Sequence, residues 1–136
     1  MSLGAVRLRR QEALTRRIGV LGGSVLHEAA LRTGVGGEEV MRAQPERLRE
    51  VGRSRHVPVR VLPIGRCNGV ALAGPIVVLE TPDRDMSAYA EGPEVSVLHA
   101  SPDKVSVLNQ RPAVIRTHAL SIEESAGYIR RVAEEV

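Results

Sequence analysis

Aromatic side chains are almost missing from this chain. Its 136 residues include two tyrosines, Tyr89 and Tyr128, and no phenylalanine or tryptophan. A core must then be assembled from Val, Leu, Ile, Ala and Met, whose small volumes fill space in short steps and easily leave an enclosed gap. A coding bias is the plain alternative, since Lys104 is the sole lysine among 19 basic residues. Cysteine is nearly absent too. The lone Cys67 excludes an internal disulfide and a cysteine-rich zinc site, and it suits a reducing compartment. No apolar run approaches the ~20 residues that span a bilayer. The opening MSLGAVRLRR has no hydrophobic stretch behind its charges, so no secretory signal is expected. These absences together predict a cytoplasmic protein with no membrane contact.

A strong excess of one charge is also lacking, because the formal net charge is only +3. Basic residues gather at Arg7, Arg9, Arg10, Arg16 and Arg17, and again from Arg47 to Arg60. The second run is interleaved with Glu46 and Glu50 and has no stacking aromatic beside it. That pattern reads as a solvated face rather than a nucleic-acid surface. What the chain does have is 43% hydrophobic residues, enough at this length for one domain over residues 1–136 with a true core.

The residues order themselves as helix, sheet, helix. Leu3–Arg17 is rich in helix formers and is stopped by Gly19, Gly22 and Gly23. Ser24–Leu31 begins as a strand and turns helical near Ala29. A helix is predicted from Glu38 to about Gly52, acidic in its first turn, with Pro45 kinking it or starting a second segment. Short strands follow at Val57–Ile64, Ile76–Glu80, Met86–Glu91 and Val95–Ala100, joined by turns at Pro82–Asp85 and Gly92–Pro93. Ser101-Pro102-Asp103 starts another helix, which Pro112 must bend or split. Ser121-Ile122-Glu123-Glu124 has the spacing of a capping box and opens a last helix. The expected class is α+β: a mostly antiparallel sheet of four to five strands flanked by N-terminal, middle and two C-terminal helices.

Three blocks of text carry a family resemblance: GGEEVMRAQPERLREV, VPVRVLPIGRCNGVALAGPIVVLE and ALSIEESAGYIRRV, in this order. Together they resemble the domain of unknown function found C-terminal to the helix-turn-helix in regulators of antibiotic-producing filamentous bacteria. The resemblance runs from about Gln11 to Val136. It implies a ligand-binding role, and with only about ten residues ahead of Gln11 it implies a stand-alone domain that does not read DNA directly. The chain departs from the family pattern at several aromatic positions. Ile64, Ile76, Thr81 and Pro112 stand where the pattern has rings, His99 where tyrosine is frequent, and His27 where aspartate is usual. Removing rings from facing elements enlarges a cavity unless the backbone closes in.

Two groups of residues are candidates for chemistry. The first surrounds the glycine-rich loop. Ile64, Arg66, Cys67, Asn68, Leu72, Ile76 and Val78, with His27, are expected to line a ligand pocket. Cys67 beside Arg66 is either a nucleophile favoured by that charge or a bystander. The second group is His99, Glu91, Tyr89 and Glu80, on strands where residues two apart share a face. His99 is either a hydrogen-bonded structural residue among valines or, beside Glu91 or Glu80, a proton shuttle. No HxH or HExxH spacing occurs, so no metal is expected. Gly34-Val35-Gly36-Gly37 lacks the context of a dinucleotide fingerprint, so no cofactor is expected.

Two functions fit these residues. In the first, a small-molecule-binding domain takes an apolar or amphipathic metabolite and modulates a partner regulator, or pairs with itself as a homodimer. In the second, a cofactor-free cyclase or isomerase of specialised polyketide or peptide metabolism folds its substrate in an enlarged pocket, with His99, Glu91, Tyr89 and Glu80 assisting. A regulator fragment that acts by protein contact alone is a third possibility.

Overall fold

The strand expected at Met86–Glu91 becomes the central strand of a three-stranded antiparallel sheet, with Ile76–Glu80 at an edge. The computed structural model describes residues 5–6, 23–33, 36–53, 57–66, 69 and 74–135. Within them the elements run β1 (Ser24–His27), α1 (Glu28–Arg32), α2 (Glu38–Gly52), β2 (Val59–Leu62), a 3-10 turn (Ile64–Arg66), β3 (Ile76–Glu80), β4 (Met86–Glu91) and β5 (Ser96–His99). Three helices follow: α3 (Pro102–Leu108), α4 (Gln110–His118) and α5 (Ile122–Glu135). The fold is α+β, and its strands divide between a two-stranded and a three-stranded sheet. No helix among the described residues is long and apolar enough to cross a membrane. The expected N-terminal helix over Leu3–Arg17 lies outside the described residues except at 5–6.

The chain clusters into two compact units. One comprises the residues up to Val61 together with those from Leu120 onward, and the other comprises Leu62–Ala119.

In the first unit β1 pairs with β2, and the Ser24 N–H donates to the Pro58 carbonyl at 3.0 Å. The fifteen residues of α2 follow Gly37, whose φ of 91° is a backbone state that favours glycine. The helix continues as one element through Pro45, so no second segment starts there. Proline there forfeits one helical hydrogen bond, but its ring is fully buried, which offsets part of that cost. The core gathers Leu31, Val59, Val61, Leu120, Ile129 and Val132, with Leu48 and Tyr128 packed against it. All but Tyr128 are aliphatic, as the composition requires. The capping box forms in both directions: the Ser121 N–H donates to Glu124 Oε1 and the Glu124 N–H to Ser121 Oγ, each at 3.0 Å. It fixes the start of α5, which presents Ser125, Ile129 and Val132 as its buried face.

In the second unit β4 pairs with β3 and β5. Val77 stands opposite Tyr89 and Val78 opposite Ala88 on one side, with Leu98 opposite Tyr89 and His99 opposite Ala88 on the other. The turn after β3 closes through the Thr81 N–H to the Asp85 carbonyl at 2.9 Å. The helix α3 packs on β4, where Ala88 is fully buried, and Val105 is the buried residue of the helix. The predicted split near Pro112 falls at Asn109. Pro112 becomes the third residue of α4, in a first turn whose N–H groups have no helical acceptor in any case.

Candidate functional site

A groove opens where the last turn of α2 lies beside the first turns of α5. Leu48, Val59 and Ile129 form its floor, Ile122 and Ala126 one wall, and Arg49 and Arg53 the rim; its volume is about 150 Å³. The arrangement follows from local sequence. Arg49 and Arg53 are four apart on α2, as are Ile122 and Ala126 on α5, so each pair stands on one helical face. Gly52 keeps the α2 end slim. A Cβ there would meet Val59 at 3.7 Å, an ordinary contact that would take up groove space. Ile122 remains half exposed, which gives the groove an apolar lip.

The charge of the groove is positive. No acidic residue stands among the described residues that line it. Arg49 is engaged by Glu46 at 3.1 Å. Arg53 has no ion pair among the described residues. A space of about 150 Å³ is of the size that holds one benzene ring when apolar.

None of the described residues expected from sequence to form a pocket lines this groove. His27 is the cap of α1: its Nδ1 accepts the Ala29 N–H at 3.0 Å. Ile64 and Arg66 lie exposed on the 3-10 turn. Ile76 and Val78 are half-buried on β3. Cys67, Asn68 and Leu72 lie outside the described residues.

The register divides the second candidate group. Glu80 lies opposite Met86, and His99 opposite Ala88, so both project from the Ala88 face. Tyr89 and Glu91 project from the other face, in register with Val77, Leu98 and Ser96. The four are not gathered on one side of the sheet. Among the described residues no three His, Cys, Asp or Glu side chains form a group that could hold a metal ion.

The family model for a domain of unknown function (DUF5753) matches residues 2–131. The chain belongs to the DUF5753 family. No curated protein and no solved structure matches it.

This DUF5753 domain also carries a polar cluster that no motif announced. Arg32 on α1 donates to Glu28 at 3.0 Å, to Glu135 at 2.7 Å and to the Tyr128 hydroxyl at 3.1 Å. The guanidinium groups of Arg32 and Arg131 both stand 5.7 Å from the centre of the Tyr128 ring. Burial first, and then the hydrogen bond with Glu28, raise the Tyr128 phenol above its usual value, against the opposing pull of Arg32. Arg32 is held still more firmly protonated by Glu135, Tyr128 and Glu28. The partners are up to 103 positions apart, so only the folded chain reveals them. The cluster ties α1 to the end of α5.

Proposed function

We propose that this DUF5753 domain is a small-molecule-binding module of the effector type, with its ligand site in the groove between α2, β2 and α5. The observation that carries the reading is the pairing of an apolar floor with an arginine rim in one concave site. Leu48, Val59 and Ile129 take the apolar part of a metabolite, and the guanidinium groups take its polar end. Among the described lining residues there is no Ser, Cys, His, Asp or Glu, hence no nucleophile or general base of the usual kinds. Binding therefore draws more support than catalysis. The cyclase reading rests on His99, Glu91, Tyr89 and Glu80, which stand on two opposite faces of the sheet.

The text of the chain resembles the portion that follows a helix-turn-helix in bacterial regulators, which supports an effector role. In that role, filling the groove would alter how α2 and α5 are presented to a partner regulator. A titration of nitrogen-15-labelled full chain with 4-methylpentan-1-ol tests the site. Saturable amide shifts are expected over residues 48–53 and 122–129, and they should be lost in Ala126→Leu, which fills the groove. Shifts confined to residues 76–99, or no saturable shift at millimolar probe, would overturn the reading.

A further inference from the structure

We infer that the groove selects a small monocarboxylate, with a branched or cyclic apolar body of about six carbons and its anionic end against Arg53. The inference rests on the groove being the ligand site and goes on to name the class of ligand.

Size, charge and helix geometry argue for it together. A volume of about 150 Å³ accepts one ring or one branched alkyl group as the apolar part of a ligand. The polar end of such a ligand must leave the floor at the rim, where two arginines and no acid are found among the described lining residues. Helix-end charges do not reverse this sign. The groove lies where the end of α2, partially negative, runs beside the start of α5, partially positive. These half-charges are of similar size and offset one another. The side chains then set the local potential.

Of the two cations, Arg49 is already neutralised by Glu46 at 3.1 Å. Arg53 follows the last residue of α2 and its backbone is fixed there, its N–H donating to the Arg49 carbonyl at 3.1 Å. Its guanidinium has no ion pair among the described residues. One uncompensated guanidinium matches one carboxylate, whose two oxygens meet the planar N–H fork. A neutral ligand would leave that fork to water, and a dianion would bring a second charge with no free partner.

The test compares two probes that differ only at the polar end, 4-methylpentanoate and 4-methylpentan-1-ol, by amide-shift titration of the full chain. The carboxylate is expected to bind roughly three- to ten-fold more tightly, the range of a half-exposed charge-assisted pair. That ratio should shrink in added salt, fall to about one in Arg53→Gln and recover only in part in Arg53→Lys, which keeps the charge but not the fork. Equal binding of both probes by the unaltered chain overturns this inference and leaves the groove as a ligand site. A preference that survives Arg53→Gln overturns it likewise. Failure of both probes to bind overturns the site, and this inference with it.

Discussion

The hydroxyl of Ser125, fully buried on α5, accepts the backbone N–H of Val61 on β2 at 2.9 Å. Ser125 is the one buried polar side chain among the described residues. Its neighbour Leu120 completes the connection by donating its own N–H to the Val61 carbonyl at 2.9 Å. Both backbone groups of one strand residue are thus satisfied by the segment that opens α5, so the strand and the helix are registered against each other within the first unit. That registration sets the floor of the groove, because Val59 and Ile129 come from the same two elements.

Ser125→Ala removes the acceptor and leaves the Val61 N–H buried without a partner. A destabilisation of about 1–3 kcal/mol is expected, the cost of an unmade buried hydrogen bond, read as a lower urea midpoint. Substitution of exposed Ala126 by leucine should change the midpoint far less, since leucine is a good helix former.

Tyr128 predicts a pH dependence. Its phenol holds its proton to a higher pH than the usual value of 10.0, so the folded state binds more protons than the unfolded state in that range. Its contribution to stability is therefore complete below pH 10.0 and is lost as pH rises through the raised folded value. Arg32 remains charged throughout, because its shift is also upward. Urea midpoints measured across this range should fall more steeply for the unaltered chain than for Tyr128→Phe. Parallel curves would show that the Tyr128 proton is not linked to folding.

Much of the fold was legible in the sequence, because local rules decided it. The α2 range, the β4 range and the capping box each depend on nearby residues: Glu38 and Glu39 at a helix start, the turns at Pro82–Asp85 and Gly92–Pro93 on either side of Met86–Glu91, and serine with glutamate three positions on. Pro45 shows the limit. Local preference allows a second segment to start there, and the folded chain keeps one helix with the ring buried. The candidate site was less legible. Its walls come from α2, β2 and α5, and nothing local marks Arg53 and Ala126 as neighbours. Of the glycine-rich loop, Cys67, Asn68 and Leu72 lie outside the described residues. The period-two rule placed Tyr89 and Glu91 on a common face, but the position of His99 relative to them depended on a strand register that no short-range pattern specifies.

Gly74 makes a conformational prediction in the second unit. Its φ is +106°, and a Cβ would stand 2.8 Å from the Glu91 carbonyl oxygen. Arg111 also donates to the Gly74 carbonyl at 2.9 Å, so the backbone there is held from two sides. Gly74→Ala combines a disfavoured left-handed φ with a backbone clash and should cost about 1–3 kcal/mol. Gly52→Ala lacks both problems, because its added Cβ meets only ordinary contact with Val59. It should stabilise the chain by a few tenths of a kcal/mol or more. Thermal unfolding of the two variants should shift in opposite directions.

His27 offers a test of helix capping by an imidazole. His27→Val removes the acceptor for the Ala29 N–H and should lower stability by about 1 kcal/mol. His27→Asp restores an acceptor at the same helix start and should recover that loss in chemical unfolding.

The most direct test of ligand binding in the groove is an intermolecular NOE experiment on the full chain saturated with 4-methylpentan-1-ol. Contacts from the probe methyl groups to the side-chain methyls of Leu48, Ile122 and Ile129 are the predicted result. Contacts to Ile76, Val78 or Ala88 instead, or no contacts at saturating probe, would contradict it.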